Sequence, residues 1–474
     1  MYDYTIIGGG PGGIYCADKL SELGYKVCLI ESLETLGGCH RVRYVKDNKG
    51  NTIHTEHGPR VYLGSYIDFW KWIKTINIDR DNNFEKYNFD MFSKDFIDFI
   101  TMFKLHEILS IILIYITNCV LKLSVSDDYT LEQFSNDFKF SENGKHRLNR
   151  LARLIDGGNL DKSLLGAFVE GIDTGFAYYI YQPTESMDNL LWDKFTQKLL
   201  NQKVDILLKT QVTSITKNTV NIGNNTINTD NIILAVPPYA LNKIKNAPSL
   251  IGYDPIKFNE LSNYQQYEPY VCCSIKFKNY GESSWGISDS HPWGIIAIDM
   301  GRYFKTVDGS LFIVSVTHPE KIDPGTNKSA NDMDEDEFLD RIVDLVKIRF
   351  KLNEEPIYKA FSPNVKKNGT WIETDRAFLF SPPGWLSPDF NISKRNKIYT
   401  TGHHIGNSHH DYNSMESAIQ NASGLLSKIE PNYTYSISEP WKLSDIILII
   451  LITLILIMIY RFRKYIRQIS RKLR

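Results

Sequence analysis

The feature that most constrains the fold is a glycine-rich turn between two apolar segments at the start of the chain. Residues 6–7 are typical of a buried strand, residues 8–13 read Gly-Gly-Gly-Pro-Gly-Gly, and the apolar residues that follow recur at helical spacing. A second strand pattern ends at Glu31. The order of strand, Gly-x-Gly-x-x-Gly turn, helix, strand and acid predicts a Rossmann-type α/β domain that binds a dinucleotide.

The residues of this turn have separate physical roles. Gly8 permits the tight turn, Gly10 lets a pyrophosphate approach the backbone, and Gly13 lets the helix pack closely on the strand. The helix N-terminus favours the phosphates through its free N–H groups and its dipole. Glu31 can accept hydrogen bonds from a ribose 2′-OH and disfavours a 2′-phosphate. A glycine-rich turn without a ligand is the alternative, but it does not explain why the second strand and its acid fall in register.

A second glycine motif follows Glu31 and indicates which dinucleotide binds. Gly37 and Gly38 can pass the backbone under a pyrophosphate, and Arg41 can bind that group through two parallel hydrogen bonds. With this motif the sequence resembles the FAD-binding start of the flavin-containing amine oxidase superfamily, which includes monoamine and polyamine oxidases, protoporphyrinogen oxidase and carotenoid desaturases. The resemblance implies FAD as the cofactor.

Residues 56–62 are similar to the second flavin-side loop of that superfamily. The resemblance implies that Gly58 and Pro59 lie against the isoalloxazine and that Arg60 places a charge near the flavin. An arginine exposed to solvent after a turn is the alternative interpretation of Arg60.

Two later segments also resemble the superfamily, which implies that the backbone of Val212 meets the adenine and that the helix capped by Ser414 points its N-terminus at the flavin pyrimidine ring. That dipole would stabilise the negative charge of a reduced flavin. The cofactor-binding residues implied by the motifs and the resemblance are Gly8, Gly10, Pro11, Gly12, Gly13, Glu31, Gly37, Gly38, Arg41, Gly58, Pro59, Arg60, Val212, Gly402, His403, Ser414 and Met415.

The chain departs from the superfamily at several positions that bear on catalysis. His403 stands where the family usually has an acid, and no lysine lies at the spacing near Cys272 where many amine oxidases hold one close to flavin N5. The family cysteine near Ser408 is missing, so a covalent flavin link is not expected. Tyr412 is the aromatic residue nearest to the second cage tyrosine of monoamine oxidases. The catalytic candidates are Arg60 and Tyr412.

Four histidines in one loop suggest a metal site, since imidazoles are common ligands: His403, His404, His409 and His410. The resemblance puts this loop beside the flavin instead. No metal is therefore predicted.

The order of the segments predicts an α/β protein with a Rossmann-type FAD-binding domain, an interleaved α+β substrate domain and a C-terminal transmembrane anchor. The FAD-binding domain comprises residues 1–65, 200–254 and 396–430, and the substrate domain comprises residues 66–199 and 255–395. Residues 431–442 form a linker, residues 443–461 a transmembrane helix and residues 462–474 a basic tail.

Two apolar runs need separate interpretations. Residues 108–121 fall in the length range of a buried or interfacial helix, and we expect a core helix of the substrate domain; a helix dipping into the membrane near a substrate entrance is the alternative. Residues 446–460 span ~22 Å as a helix, which flanking apolar residues and snorkelling arginines can extend toward a ~30 Å hydrocarbon core. The basic tail can form an amphipathic helix on anionic lipid.

Composition limits the function classes and the topology. The net charge of −1 and the pI near 6.8 give no electrostatic basis for binding nucleic acid. Six scattered cysteines without metal spacing, and a first strand that follows the start of the chain directly, favour a cytosol-facing catalytic domain with free thiols. Counting positive charges would instead keep the basic tail cytoplasmic. We follow the first argument.

The leading hypothesis is an FAD-dependent, amine oxidase-like enzyme. It would pass a hydride from a small amine or lipophilic substrate to flavin N5, and oxygen would reoxidise the flavin. One alternative is an enzyme similar to UDP-galactopyranose mutase, whose flavin-side loop resembles residues 53–70. A desaturase of a lipophilic substrate, or a membrane flavoprotein with a structural role, are further alternatives.

Overall fold

The computed structural model describes residues 1–46, 50, 52–87, 101, 103–123, 129–155, 159–175, 178–252, 271–283, 285–288, 291–374, 392–393, 396–403, 414–435 and 437–472. The strands are β1 Tyr2–Ile7, β2 Val27–Ile30, β3 Arg43–Lys46, β4 Thr52–Thr55, β5 Tyr62–Leu63, β6 Phe84–Tyr87, β7 Ile180–Pro183, β8 Asp205–Leu207, β9 Val212–Ile215, β10 Thr219–Ile222, β11 Asn225–Leu234, β12 Val271–Lys276, β13 Trp285–Ser288, β14 Ile295–Asp299, β15 Leu311–Val316, β16 Ile322–Asp323, β17 Lys328–Ser329, β18 Tyr358–Phe361, β19 Val365–Asn368, β20 Thr370–Glu373, β21 Ile392–Ser393 and β22 Ile398–Thr400.

The α-helices are α1 Pro11–Glu22, α2 Ile67–Ile73, α3 Arg80–Asn83, α4 Leu105–Tyr115, α5 Leu131–Asp137, α6 Glu142–Ile155, α7 Leu165–Gly175, α8 Asp193–Asn201, α9 Pro238–Leu241, α10 Ala247–Ile251, α11 Glu335–Phe350, α12 Met415–Ile429 and α13 Leu443–Lys472. Two π-helical segments, Ile116–Val120 and Asp188–Trp192, extend the end of α4 and the start of α8.

A parallel sheet with the order β22-β11-β1-β2-β8 forms the first core. β21 joins one edge in the antiparallel sense, and β9 and β10 extend from β11 as an antiparallel meander. The last four residues of β1 are buried, as expected for a strand covered on both faces. Since β1 leads into α1 and pairs with β2, the predicted order of strand, turn, helix and strand is confirmed.

An antiparallel sheet with the order β13-β14-β15-β12-β18 forms the second core. Phe338, Ile342 and Val346 recur every four residues along α11 and are buried against it. The side chain of Asp334 caps this helix by accepting a hydrogen bond from the Glu337 backbone N–H at 2.9 Å. The helix thus begins in an acidic segment, three residues before its apolar pattern, and acids are favourable at a helix N-terminus.

Helices α4 to α7 have an apolar core of their own, in which Phe134, Leu148 and Phe168 are buried. The expectation of a core helix at residues 108–121 is only half right. One face of α4 packs on this core through Ile111 and Ile114, whereas the opposite face is exposed. A run that is apolar all round cannot indicate which of its faces is covered.

Helices α2 and α8 pack in the core of the parallel sheet, although the sequence assigned both to the substrate domain. Trp72 of α2 stacks on Phe195 of α8 with ring centroids 4.0 Å apart, and its indole N–H donates to Asp18 of α1 at 3.0 Å. The boundaries drawn at residues 65 and 200 therefore cut through a continuous core. Amphipathic patterns predict the helices but do not indicate which sheet they cover.

The predicted linker at 431–442 is attached to the parallel-sheet side of the fold. The Tyr433 hydroxyl hydrogen-bonds to Ser423 Oγ and to the Tyr15 hydroxyl, both at 2.9 Å. The backbone N–H of Ser438 donates to Asp68 Oδ2 at 3.0 Å. Its polar composition suggested a linker without tertiary contacts. The Tyr433 hydroxyl and the Ser438 N–H instead bind groups of α1, α2 and α12.

The last helix, α13, leaves the body of the protein and is exposed along its apolar part. Its segment Leu443–Lys464 is long and apolar enough to cross a membrane, judged by length and composition. The helix continues without a break through the basic residues to Lys472.

Candidate functional site: a dinucleotide cradle and a buried polar cluster

The turn between β1 and α1 forms a cradle with room next to its backbone. Gly8 has φ of +110°, and a Cβ at Gly13 would lie 1.9 Å from the Gly8 carbonyl oxygen, so both positions require glycine. At Gly10, by contrast, a Cβ would find only the Cα of Gly38, at 3.8 Å. α1 begins at Pro11 with no side-chain cap and no acid in its first turn, which leaves its first N–H groups for a ligand.

Glu31 lies at the carboxyl end of β2, where it closes the cradle. Its Oε2 accepts a hydrogen bond from the Gly9 backbone N–H at 2.7 Å, and its Oε1 accepts one from Leu33 N–H at 3.0 Å. The carboxylate is therefore fixed in orientation, and its remaining lone pairs can accept from ribose hydroxyls. The Thr210 N–H donates to the Glu31 carbonyl at 2.9 Å, which brings the start of β9, and with it Val212, to this end of the cradle.

The second glycine motif runs beside the first. The Gly37 N–H donates to the Gly9 carbonyl at 2.8 Å, and a Cβ at Gly38 would lie 2.9 Å from the Gly10 Cα. Arg41 is buried and donates from Nη1 to the Gly38 carbonyl at 2.7 Å, so its guanidinium stays at this loop. The two glycine motifs therefore lie side by side, and their contacts with a pyrophosphate stay predictions.

Gly12 faces away from the ligand side. A Cβ there would lie 3.2 Å from the carbonyl oxygen of Ala418, so this glycine permits the close approach of α1 and α12. Its backbone N–H lies in the first turn of α1, and its assignment as a cofactor-binding residue stays a prediction. Spacing alone does not separate glycines that face a ligand from those that face a helix.

The N-terminus of α12 is built as predicted. Ser414 Oγ accepts from the Ser417 N–H at 3.0 Å, Met415 is buried, and the side-chain amide of Asn421 donates to the Gly402 carbonyl at 2.7 Å. These bonds hold the end of β22 against the helix. Burial lowers the pKa of His403 to about 4, so its imidazole is neutral at neutral pH.

A carboxyl group missed by the sequence arguments anchors α12 to α2. Glu416 is fully buried and accepts hydrogen bonds from the backbone N–H groups of Asp68 and Phe69, at 2.8 and 2.7 Å. Burial and the neighbouring Asp68 raise the pKa of Glu416 to about 8. The side-chain amide of Gln420 donates to both acids, at 2.9 Å to Asp68 and 3.1 Å to Glu416.

Arg60 is 12% exposed, which contradicts the alternative of an arginine in solvent. Its guanidinium donates to the carbonyl groups of Cys39 and His40 and pairs with Glu56 at 3.1 Å. Burial opposes ionisation of Glu56, but Arg60 and a hydrogen bond from His54 outweigh it, so the pKa of Glu56 is lowered. Arg60 thus joins the flavin-side loop to the second glycine motif.

The structure also forms a buried polar cluster that the sequence did not reveal. His57 Nδ1 lies 3.1 Å from Glu373 Oε2, and the amide of Asn364 donates to Glu373 Oε1 at 2.7 Å. Burial raises the pKa of Glu373, and His57 and Asn364 oppose that rise. No local motif links His57 to Glu373, because they are more than 300 positions apart in the chain. The position of His57 directly before Gly58 and Pro59 was the one sequence feature that could have pointed to this cluster.

Strand β12 borders this cluster. A Cβ at Gly58 would lie 3.4 Å from Cys272 Sγ, and that thiol donates to Ser315 Oγ at 3.5 Å. Burial keeps the pKa of Cys272 well above its usual value, so the thiol is neutral. Lys276 is a lysine further along the same strand. Its ammonium group donates to the carbonyl groups of Asp308 and Gly309, so it is not the counterpart of the lysine that many amine oxidases hold near flavin N5.

Several predicted residues lie outside the described part of the chain. They are Tyr412, Ser408, His404, His409 and His410. The role of Tyr412 and the interpretation of the histidine loop stay predictions. Pro59 is described and lies in the loop between Gly58 and Arg60.

The protein-family model for flavin-containing amine oxidoreductases matches residues 11–422. The chain belongs to this family. The fold of this chain is similar to that of wild-type putrescine oxidase bound to putrescine. The TM-score is 0.65, and the two sequences are 14% identical over 91% of this chain and 99% of that one. Cyclohexylamine oxidase from Brevibacterium oxydans IH-35A is similar, with a TM-score of 0.61 and 14% identity over 90% and 99%.

Curated relatives of this flavin-containing amine oxidoreductase match over short segments. The chain is 36% identical over 75 residues to the FAD-dependent oxidoreductase dbaF of Emericella nidulans, which is 15% of either protein. It is 43% identical over 61 residues to mitochondrial dihydrolipoyl dehydrogenase of Homo sapiens, which is 12% of either protein. These matches span far less than two thirds of the relatives' length.

Family membership makes this protein an FAD-dependent oxidoreductase. The residues fit that cofactor: the space at Gly10 suits a pyrophosphate, the uncapped start of α1 suits its charge, and Glu31 suits a ribose. The individual FAD contacts stay predictions.

Proposed function

We propose that this FAD-dependent oxidoreductase is an oxidase of a small amine or lipophilic substrate. The substrate would lose a hydride and a proton, and molecular oxygen would take up both as hydrogen peroxide. When bound, FAD supplies the hydride acceptor for this chemistry. The protein would hold FAD in the cradle and the substrate next to the flavin-side loop.

The observation that carries the proposal is the buried pair of His57 and Glu373. His57 belongs to the flavin-side loop, and Glu373 belongs to the hairpin of β19 and β20. The pair therefore lies close to β12 of the antiparallel sheet. An acid–base pair at that position can accept the proton that a substrate releases. Cys272, a neutral thiol, cannot do so at neutral pH.

Anaerobic mixing tests the proposal with the full-length protein in detergent. We expect the flavin absorption to bleach when a primary or secondary amine is added, and hydrogen peroxide to form when air is admitted. The proposal would be refuted in favour of a mutase if no amine bleached the flavin and the protein converted a UDP-sugar only after dithionite had reduced its flavin. Bound FAD that no amine or lipophilic donor bleaches would favour a structural role.

We also propose that α13 anchors the protein in a membrane as a single span, with the catalytic domain facing the cytosol. The exposed apolar segment Leu443–Lys464 and the basic residues after it support the span. All six cysteines are free thiols, five of them buried, which fits a reducing compartment. Proteolysis of the catalytic domain in sealed vesicles of known orientation tests the sidedness.

A further inference from the structure

Helix α4 carries an apolar face that no described part of the chain covers. Leu105, Leu109 and Leu113 are 73%, 55% and 53% exposed, and Ile112 and Ile116 are exposed beside them. These residues recur every three or four positions and therefore lie on one side of the helix. Monomeric soluble proteins rarely leave a contiguous apolar patch of this kind in water.

The covered side of α4 shows that the helix is correctly seated. Ile108, Ile111 and Ile114 pack on the core of the helical unit, and the Tyr115 hydroxyl donates to Asp173 of α7 at 2.7 Å. The exposed leucines thus point outward from a helix with a fixed position.

The base of α13 lies beside the end of α4. Asp173 is buried and also accepts hydrogen bonds from the Ser444 backbone N–H and from Ser444 Oγ, both at 2.7 Å. Lys442 pairs with Glu170 on the same helix as Asp173. The apolar part of α13 therefore leaves the protein from the helical unit that carries the exposed face of α4.

The polar residues around this region suit a membrane surface. Lys104 and Lys122 are exposed at the two ends of the apolar stretch, where their ammonium groups can reach water above lipid. Trp441, two residues before α13, is 64% exposed, and indole rings are enriched at the membrane interface. Eleven residues of α4 extend ~17 Å, so the helix can lie in an interface but cannot span one.

We propose that the exposed face of α4 lies in the lipid of the same membrane that α13 crosses, as a second contact. The inference rests on the proposed membrane anchoring by α13. The bilayer is the occupant that the geometry favours, because the span leaves the helical unit beside the end of α4 and the charges flanking the apolar face are lysines.

Fluorescence quenching in vesicles tests this inference on the full chain. Single reporter cysteines replace Leu113 on α4, Leu456 in the span and Leu200 on α8, and each is labelled with an environment-sensitive dye in phosphatidylcholine vesicles. Leu200 is the matched control, an exposed leucine of similar accessibility far from both apolar segments in the chain. Circular dichroism and flavin absorption verify the fold, and the parent protein treated with the same dye corrects for labelling of native thiols.

We expect a lipid-borne spin label to reduce emission about twofold at positions 113 and 456, and aqueous iodide to quench position 200 alone. Iodide quenching at 113 with lipid quenching at 456 would overturn the α4 contact and leave the anchor standing. Protection of position 113 from both quenchers would mean that protein, such as a second copy of the chain, covers α4, and would also overturn it. Loss of lipid quenching at 456 would refute the anchoring proposal itself.

Discussion

At the scale of single residues, the pair of His57 and Glu373 makes the clearest catalytic prediction. Glu373→Gln keeps the shape of the side chain but removes the carboxylate that faces His57 Nδ1. We expect the turnover rate with the best amine donor to fall by about a hundredfold, in the range of lost acid–base catalysis, and the pH–rate profile to lose one limb. Stopped-flow bleaching of the flavin measures both.

The control for this experiment is Glu355→Gln, which removes an exposed carboxylate paired with Lys347. It should leave the rate and the profile unchanged. An unchanged pH profile in Glu373→Gln would show that the pair serves structure alone.

Gly10 and Glu31 separate cofactor binding from folding. Gly10→Val should fold without FAD, because the added Cβ meets protein only at 3.8 Å and fills the space assigned to the pyrophosphate. Glu31→Gln should weaken FAD binding about ten- to hundredfold, the effect of ~1.5–3 kcal/mol from a charged hydrogen bond. Flavin absorbance per protein and a thermal melt measure the two properties.

Gly13→Ala is the contrasting variant. Its Cβ would lie 1.9 Å from the Gly8 carbonyl, so it should lose the fold together with the flavin. Full flavin content in Gly10→Val and Glu31→Gln would refute the assignment of the cradle.

His403 predicts a pH dependence of stability. Its pKa in the folded protein is about 4, below the usual value of about 6.5, so only the unfolded chain takes up this proton between those values. The free energy of unfolding should therefore fall by up to about 3 kcal/mol as the pH drops from 6.5 to 4. Urea unfolding at several pH values should show a flatter dependence for His403→Gln than for the parent. His106→Gln, at an exposed histidine, should follow the parent.

At the scale of elements, the bonds between α12 and α2 should set how firmly the flavin side is held. Glu416→Ala leaves the N–H groups of Asp68 and Phe69 buried without their acceptors. Each buried donor without a partner costs about 1–3 kcal/mol, so we expect a clear fall in melting temperature and faster loss of FAD on dilution. Lys428→Ala, on an exposed position of the same helix, should change neither.

Elements defined by local patterns could be predicted from the sequence. The strand–turn–helix around Gly8, the Ser414 cap and the acidic start of α11 all follow from residues within a few positions of one another. The bonds of Glu373 and Glu416 could not, because each depends on how distant elements are packed. The same reason explains why α2 and α8 were assigned to the wrong side of a domain boundary, since their apolar faces fit either sheet.

At the scale of the whole molecule, truncation after Pro440 should separate the catalytic body from the anchor. The cut keeps the bonds of Tyr433 and Ser438 to the cofactor side but removes the contact of Ser444 with Asp173. We expect a protein that retains FAD and is released from membranes by high-salt or carbonate washes, since only the face of α4 still contacts lipid, measured by ultracentrifugation and absorbance. Aggregation without flavin, together with full-length protein that is soluble without detergent, would show that α13 is a core helix.

The joint at Asp173 has a consequence for how the protein moves. A domain that is joined to its membrane helix by a flexible linker can reorient freely above the membrane. Here the first turn of α13 is hydrogen-bonded to the body of the protein, and the helix is continuous over 30 residues. The catalytic body and α13 must then tilt together as one rigid unit. Neutron reflectometry on a supported bilayer should find the protein at one height and one orientation, and Asp173→Ala should blur both.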